Sequence, residues 1–282
     1  MPRCVCSPKV DALRRRAMKA MEFRDRWLLL TGASSGLGRE MAKILATEHG
    51  ANLIIVARRQ ERLDSLKAEL AATCSAQVHC VRADLSRLED TDRVLAEAAR
   101  FSLYGAILNA GVTHFGLHSD LDWDAFRQML DTNVTSVVRM TNALLPLLER
   151  TSGGLLLVSS MAGIFPVPYQ TAYSATKAFL VHFGCGLSHE YQGRNVSVTT
   201  FTPGGIVSEM TDGESFTPLR SWLMPTALAA REGIAALRKR KYLYAPGAGN
   251  CLASALIRLL PRRFLSGTVG KQYRKALSTA RH

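Results

Sequence analysis

Three hydroxyl- and amine-bearing side chains in the second half of the chain are suited to proton transfer. Tyr173 and Lys177 are four residues apart, so in a helix they lie on the same face and close enough to interact. A cation within about 4 to 6 Å of a phenol stabilises the phenolate and lowers the tyrosine pKa. Ser160, at the end of a predicted strand, is placed to hydrogen-bond the oxygen that exchanges the proton. This pattern predicts acid–base chemistry at an oxygen-bearing carbon.

A glycine-rich turn at residues 31–38 follows the first predicted strand and opens a helix. Glycines there let the backbone approach a pyrophosphate, whose charge faces the N–H groups of the helix N-terminus. The expected phosphate contacts are Gly32, Ser34, Ser35, Gly36, Leu37 and Gly38. The turn also matches the G-x-S-x-G elbow of α/β-hydrolases. That alternative is disfavoured, because a hydrolase needs strands and an oxyanion loop upstream, where this chain has a basic leader.

Alternating strand and helix patterns predict the architecture that positions these residues. The predicted strands are residues 27–30, 53–57, 78–82, 106–108, 155–159, 196–201 and 242–244. The predicted helices are residues 39–48, 62–71, 88–99, 123–148, 172–191 and 226–238. Most strands are continuous apolar runs, typical of strands covered on both faces. This order predicts an α/β fold, a single-domain Rossmann-type doubly wound parallel sheet of about seven strands, with ligands at the carboxyl ends of the strands.

Together, these motifs resemble the short-chain dehydrogenase/reductase family over roughly residues 23–245. The turn is similar to the T-G-x-x-x-G-x-G of one branch of that family, and Tyr173 and Lys177 match its Y-x-x-x-K. Asn133, Ser160, Tyr173 and Lys177 fall where the family carries its catalytic tetrad. The resemblance implies hydride transfer between a nicotinamide cofactor and a carbonyl or secondary alcohol, with Asn133 holding a water that relays the proton beyond Lys177.

The same resemblance implies further cofactor contacts. Asp84 matches an adenine-contacting acid, and residues 109–111 match a sheet-stabilising N-A-G turn. Residues 203–208 are similar to P-G-x-V-x-T, in which the last hydroxyl meets the nicotinamide carboxamide, with Ser208 replacing Thr. The contacts implied beyond the glycine turn are Asp84, Leu85, Asn109, Ala110, Gly111, Tyr173, Lys177, Pro203, Gly204, Ile206 and Ser208.

The end of the second predicted strand favours NADP(H) over NAD. An NAD-preferring site usually places an acid there, which bonds the adenosine ribose hydroxyl. Here Ala57 removes the repulsion against a 2′-phosphate, and Arg58 offers a planar fork of donors. We expect Arg58 to bind the phosphate and Arg59 to be a solvated neighbour. Reduction is the expected direction, because cells tend to keep this cofactor reduced.

The predicted substrate loops, which follow the fourth, fifth and sixth strands, are mostly apolar, with Arg220 as their one basic side chain. Their apolar members are Val112, Phe115, Ile164, Phe165, Val167, Tyr169, Met210, Phe216, Leu219, Trp222 and Met224. This lining predicts a lipophilic or aromatic ketone, contacted by Ser160 and Tyr173. A 3-oxoacyl thioester is an open alternative. A non-catalytic dinucleotide sensor or scaffold of the same fold is another, although all four tetrad residues are present.

Charge and cysteine content exclude other classes of function. Of the net charge of +13, residues 1–26 contribute +5, residues 231–282 contribute +11 and residues 27–230 contribute −3. A near-neutral body argues against nucleic-acid binding. The 6 cysteines are scattered, and no paired C-x-x-C or H-E-x-x-H motif occurs, so we expect neither a disulfide framework nor a metal site. These features predict a reducing, cytoplasmic setting.

The predicted organisation is a basic leader at 1–22, a Rossmann domain at 23–248 and a basic amphipathic extension at 249–282. Met21 is an alternative start. Residues 251–265 are apolar with basic edges, and Pro261 limits a helix there to about ten residues. We expect this segment to pack over the pocket or at a subunit interface of a homodimer or homotetramer. The minority alternative is weak peripheral contact with an anionic membrane.

Overall fold

The computed structural model describes residues 18–207, 209, 223–247 and 262–279. Within these ranges, seven strands form one parallel sheet. The strands are β1 (Trp27–Thr31), β2 (Asn52–Ala57), β3 (Val78–Arg82), β4 (Leu103–Leu108), β5 (Gly154–Val158), β6 (Ser197–Phe201) and β7 (Leu243–Tyr244). The helices are α1 (Gly36–Thr47), α2 (Gln60–Thr73), α3 (Leu88–Ala98), α4 (Trp123–Leu130), α5 (Ser136–Arg150), α6 (Thr171–Glu190), α7 (Thr226–Arg238) and α8 (Arg262–Thr279).

The strand order determines where a ligand can bind. The order is β3-β2-β1-β4-β5-β6-β7, so the chain crosses from one half of the sheet to the other between β3 and β4. Because every pairing is parallel, the carboxyl ends of the strands meet at one edge. In open α/β sheets, ligands bind outside these ends where the strand order reverses. A cleft beside β1 and β4 is therefore expected.

Two hydrophobic layers hold helices against both faces of the sheet. Along β1, Leu28 and Leu30 face one layer and Leu29 faces the other, because side chains alternate along a strand. The first layer includes α1, α2 and α7, and the second includes α3, α5 and α6. Burial on both faces explains the continuous apolar strands, and the predicted doubly wound fold is confirmed.

Two helical regions differ from the prediction. Residues 123–148, predicted as one helix, are divided into α4 and α5 by a π-helical turn at Asp131–Thr135. The spacing of apolar residues along the sequence does not reveal a single π-helical turn inside a helix. The predicted helices also do not include α8, Arg262–Thr279. The helix expected before Pro261 lies outside the described residues.

Chain packing on the sheet begins before β1. Met21 and Phe23 are both buried in the layer that contains α7. The Met21 N–H donates to the Arg238 carbonyl at the end of α7, with an N–O distance of 2.9 Å. Part of the predicted leader thus belongs to the folded core, and residues 1–17 lie outside the description.

Alanine substitutions at Gly184 and Gly186 on α6 test how closely this helix approaches the sheet. A Cβ on Gly184 would fall well inside van der Waals distance of Thr200 Oγ1 and 3.0 Å from Leu157 Cδ1, whereas one on Gly186 would meet nothing within 4 Å. We expect Gly184→Ala to lower the free energy of unfolding by about 1–3 kcal/mol. Gly186→Ala should raise it by about 0.5–1 kcal/mol. Urea denaturation measures both, and equal effects would contradict the close packing of α6 on β5 and β6.

Candidate active site

A cavity of about 1000 Å³ lies at the carboxyl ends of the strands. It is lined by most of the residues that the sequence predicted for the site. Those at the cavity surface are Gly32, Ser34, Ser35, Gly36, Leu37, Arg58, Asp84, Leu85, Asn109, Ala110, Gly111, Ser160, Tyr173, Lys177, Pro203, Gly204 and Ile206. Gly38 and Asn133 lie behind this surface, and Ser208 lies outside the described residues. The fold thus brings two distant groups, the glycine turn and the Tyr–Lys helix, to one cavity.

The glycine turn closes tightly over the end of β1. Gly32 and Gly36 have φ values of 72° and 51°, in the left-handed region that favours glycine. A Cβ on Gly38 would lie 2.6 Å from Asn109 Nδ2 and would also collide with the Gly32 carbonyl, so α1 can approach the turn only because Gly38 has no side chain. The Ser35 side chain forms no capping hydrogen bond, and the first N–H groups of α1 therefore face the cavity. This geometry suits a bound phosphate.

Asn109 and Thr31 lock the turn to β4. The Asn109 side-chain amide donates to the Thr31 carbonyl at 3.0 Å, and the Thr31 hydroxyl accepts from the N–H groups of Asn109 and Ala110, each at 3.0 Å. The structure therefore gives residues 109–110 the sheet-stabilising position that the family resemblance implied.

The reactive side chains lie on α6 and at the end of β5. Lys177 Nζ is 5.7 Å from the centroid of the Tyr173 ring and donates to the Val158 carbonyl at 3.0 Å. Ser160 Oγ accepts from the Ala162 N–H at 3.1 Å and interacts with the Tyr173 phenol. Ser159 points the other way, and its hydroxyl donates to the Lys177 carbonyl at 2.6 Å. The arrangement leaves the Ser160 and Tyr173 hydroxyls together at the cavity surface, with the ammonium behind them.

Asn133 lies in the π-helical turn between α4 and α5 and is fully buried. Its side-chain oxygen accepts from the Val112 N–H at 2.9 Å, and its amide donates to the Val112 carbonyl and to Thr176 Oγ1. A Cβ on Gly111 would be 3.2 Å from Asn133 Oδ1 and 3.3 Å from Lys177 Nζ, so both groups lie beneath Gly111. Asn133 thus ties the loop after β4 to α6, next to the ammonium.

Burial shifts the pKa values of Tyr173 and Lys177 in opposite directions. Desolvation raises the pKa of Tyr173 to about 12, an effect that the hydrogen bond with Ser160 only partly opposes. Desolvation lowers the pKa of Lys177 to about 8. The sequence predicts a tyrosine pKa lowered by the nearby cation, but in the structure loss of hydration is the largest effect and raises the pKa. Tyr173 is therefore a protonated donor at neutral pH.

The end of the cavity beside β2 is lined by two adjacent arginines. Arg58 is exposed at the cavity rim. Arg59 donates to Ser34 Oγ at 3.3 Å and pairs with Glu209 at 2.9 Å. The sequence analysis treated Arg59 as a solvated neighbour of Arg58, but in the structure Arg59 is the one that contacts the glycine turn.

The far wall of the cavity includes Val269 and Tyr273 from α8. Ser266 Oγ donates to the Pro166 carbonyl at 2.9 Å, and Arg274 Nε donates to the Tyr169 hydroxyl at 2.9 Å. α8 thus packs over the loop that follows β5. Sequence reasoning missed Val269 and Tyr273, because no local motif marks a contact between residues about one hundred positions apart; only the amphipathic extension hinted at it.

The described ranges hold neither a cluster of metal ligands nor a membrane-spanning helix. No group of three or more His, Cys, Asp or Glu side chains in these ranges converges as metal ligands would. None of the helices described is both long and apolar enough to cross a membrane.

Comparison with known proteins adds an independent observation. Residues 26–217 match the family model for short chain dehydrogenase. The chain belongs to the short-chain dehydrogenase family. The predicted membership of an oxidoreductase family is therefore confirmed.

Relatives of this short-chain dehydrogenase differ in their names. The chain is 32% identical over 192 residues to a protein of Danio rerio named very-long-chain 3-oxoacyl-CoA reductase-A, covering 66% of the chain and 60% of the relative. It is 36% identical over 198 residues to nodulation protein G of Rhizobium sp. (strain N33), covering 68% and 77%. This short-chain dehydrogenase therefore spans about three fifths of the length of the first relative.

The fold also resembles that of solved structures. A structure reported for the stereoselectivity of 7beta-hydroxysteroid dehydrogenase superposes with a TM-score of 0.79 at 23% identity, covering 90% of this chain and 100% of the other. At that identity the likeness shows the fold alone. It extends the similarity beyond the region matched by the family model.

Replacing Lys177 of this dehydrogenase tests the burial of its ammonium. The pKa of Lys177 in the folded state, about 8, lies below the ordinary value of 10.5, so folding disfavours the protonated amine. The penalty is the free energy of unfolding that this burial costs, and it is fully present below pH 8. Between pH 8 and 10.5 the penalty declines as pH rises. The stability of Lys177→Met relative to the parent should therefore fall by about 2 kcal/mol between pH 7 and pH 9.5.

Urea denaturation of the two proteins at both pH values measures this difference. Lys271→Met, on the exposed surface of α8, is the matched control and should show no such dependence. A pH-independent difference between parent and Lys177→Met would contradict the burial of a charged amine at this position.

Proposed function

We propose that this short-chain dehydrogenase reduces the carbonyl of a lipophilic or aromatic ketone with NADPH. The observation that carries the proposal is the pair of hydroxyls, Ser160 and Tyr173, in the same cavity as the glycine turn, with Lys177 behind them. One end of the cavity suits a dinucleotide phosphate. The other supplies a proton donor next to apolar side chains.

The chain's own residues handle the proton. When NADPH is bound, it supplies the hydride that the carbonyl carbon takes up. Ser160 holds the carbonyl oxygen by a hydrogen bond, and Tyr173, protonated at neutral pH, donates its proton to that oxygen as the alcohol forms. The phenolate left on Tyr173 is stabilised by the Lys177 ammonium on the same face of α6. Lys177 then passes a proton to the phenolate, and we assign Asn133 the water that returns a proton to Lys177.

The arginines at the end of β2 support NADP(H) as the cofactor. Ala57 leaves no carboxylate at the position where an NAD site places one. Arg58 is exposed at the rim, and Arg59 reaches Ser34 in the glycine turn. A 2′-phosphate there would accept charge-assisted hydrogen bonds from both guanidinium groups.

The substrate end of the cavity supports an uncharged, apolar substrate. The described side chains around it include Val112, Phe165, Val167, Leu223 and Val269. Within the described lining, the basic groups are Arg58 and Arg59 at the adenosine end and Lys177 beneath Tyr173. A free dicarboxylate or a sugar phosphate has no cation to pair with among these residues. Arg220 lies outside the description.

A second candidate substrate is a 3-oxoacyl thioester. The name of the Danio rerio relative, very-long-chain 3-oxoacyl-CoA reductase-A, favours it. Such a substrate also has a lipophilic chain next to its ketone, as the apolar cavity requires. The two candidates share one reaction and differ in whether a second carbonyl stands beside the reduced one.

We infer a homodimer or homotetramer in a reducing, cytoplasmic setting. An exposed aromatic side chain on α6 supports self-association: Phe179 is 42% exposed and stacks on the partly buried Phe183, with ring centroids 5.6 Å apart. Exposed aromatic side chains are enriched in protein interfaces. Cys74 and Cys80 remain thiols, which is compatible with a reducing compartment.

The cofactor proposal predicts that NADPH binds more tightly than NADH. Arg58→Ala and Arg59→Ala should each raise the Kd of NADPH about tenfold, the loss of one charge-assisted hydrogen bond, and leave the Kd of NADH within about twofold. Arg62→Ala, which removes a nearby exposed guanidinium that pairs with Glu209, is the control. Fluorescence titration measures these constants, and equal affinities of the parent for NADPH and NADH would overturn the assignment.

The mechanism predicts that Tyr173→Phe lowers kcat by about 10²–10⁴-fold, because the general acid is removed. The Kd of NADPH should stay within about twofold, since the ring and Lys177 are retained. Tyr191→Phe, at the far end of α6, is the matched control. NADPH absorbance with a panel of ketones measures turnover. If Tyr173→Phe retained most of the activity, the mechanism would be contradicted. If the parent turned over no ketone in the panel, the dinucleotide sensor would be favoured.

A further inference from the structure

One cavity residue has no part in the mechanism above. Tyr273 lies on α8, four residues after Val269, so both side chains face the cavity from one side of the helix. The Tyr273 ring meets the Phe115 ring edge-on, with centroids 5.2 Å apart. Tyr273 and Tyr173 line the same cavity, and their phenols interact electrostatically. A second phenol therefore stands close to the proton donor.

The position of Tyr273 is fixed by several contacts of α8. Ser266 bonds the Pro166 carbonyl, and Arg274 bonds the Tyr169 hydroxyl. A Cβ on Gly270 would be 3.2 Å from Pro168 Cγ, so the helix lies directly on that loop. The loop is joined in turn to the segment that holds Phe115, because the Gly116 N–H donates to the Tyr169 carbonyl at 2.9 Å. Three segments thus hold the phenol in one place.

The Tyr273 hydroxyl is a hydrogen-bond donor that the described part of the protein leaves available. Among the described residues, none forms a hydrogen bond with it. Burial raises its pKa, so the hydroxyl keeps its proton at neutral pH. A partly buried hydroxyl gains from an acceptor, and in this cavity the substrate can supply one.

The reacting oxygen is not that acceptor. A carbonyl oxygen has two lone pairs, and the proposed mechanism fills both, one with Ser160 and one with Tyr173. A third donor nearby must meet a different oxygen of the same molecule. Tyr273 and Tyr173 line the same cavity and interact electrostatically, which places that oxygen in the part of the cavity around the reduced carbonyl.

We propose that Tyr273 is a substrate-specificity residue, whose hydroxyl donates to a second oxygen close to the reduced ketone. This inference rests on the proposed carbonyl reduction and narrows its substrate class. Ketones with a neighbouring ester, thioester or hydroxyl oxygen satisfy Tyr273, whereas hydrocarbon ketones bury its hydroxyl against carbon. α8 thereby selects for oxygenated ketones, and Val269 contributes the apolar wall beside them.

Two matched substrates and two variants test the inference. The substrates are a 3-oxo ester and the ketone of equal length in which methylene groups replace the ester. Tyr273→Phe keeps the ring against Phe115 and removes the hydroxyl. We expect it to raise KM for the 3-oxo ester about tenfold more than it raises KM for the matched ketone. Equal effects on both substrates, or none, would overturn the inference.

Tyr169→Phe is the structural control, because it removes the Arg274 contact and leaves Tyr273 in the cavity. A loosened α8 should change KM for both substrates alike.

Equilibrium binding separates this inference from the proposed function. Calorimetry of both ligands with Tyr173→Phe, saturated with NADPH, should show the 3-oxo ester preferred, and Tyr273→Phe in that background should abolish the preference. If the parent turns over neither substrate, the proposed function fails. The ratio of the Kd values for the two ligands, measured with and without the Tyr273 hydroxyl, still decides whether Tyr273 selects the second oxygen.

Discussion

The burial of Lys177 against the end of β5 is the constraint on which the site depends. Its ammonium donates to the Val158 carbonyl, and its own carbonyl accepts from Ser159. One turn of α6 is therefore fixed to the strand end that carries Ser160. Tyr173 is one turn earlier on the same face of α6, and this spacing places its phenol beside Ser160. The loop after β4 joins this arrangement through Asn133 and Thr176.

Burying an amine costs stability, and the packing of α6 offsets that cost. A pKa of about 8 against the ordinary 10.5 corresponds to about 3 kcal/mol of unfavourable free energy at neutral pH. The glycines of the site let the backbone approach closely enough to compensate. A Cβ on Gly163 would be 2.5 Å from the Lys177 carbonyl, and one on Gly184 would collide with Thr200. The helix thus lies nearer to the sheet than larger residues would allow, and apolar contacts behind it increase.

Local patterns predicted much of this arrangement, and long-range contacts account for the rest. Continuous apolar runs predicted the strands, and the turn at residues 31–38 and the Tyr173–Lys177 spacing predicted both ends of the cavity. The predicted tyrosine pKa was wrong in direction, because the depth of burial depends on neighbours that the local sequence does not reveal. Tyr273 was missed for the same reason: its surroundings come from segments more than one hundred residues away.

The two ends of the cavity obey different electrostatics. At the adenosine end, Arg59 pairs with Glu209, and both side chains are about half exposed, 40% and 48%. Arg59 lowers the pKa of Glu209, so the pair is fully charged at neutral pH, yet an exposed pair contributes only about 0–1 kcal/mol. A phosphate dianion can replace the carboxylate at little cost. At the other end, Tyr173 and Lys177 are desolvated, so their protonation states are fixed by the folded protein before any ligand arrives. The proposed reduction thus assigns the cofactor phosphate to an exchangeable cation and the proton transfer to a preorganised pair.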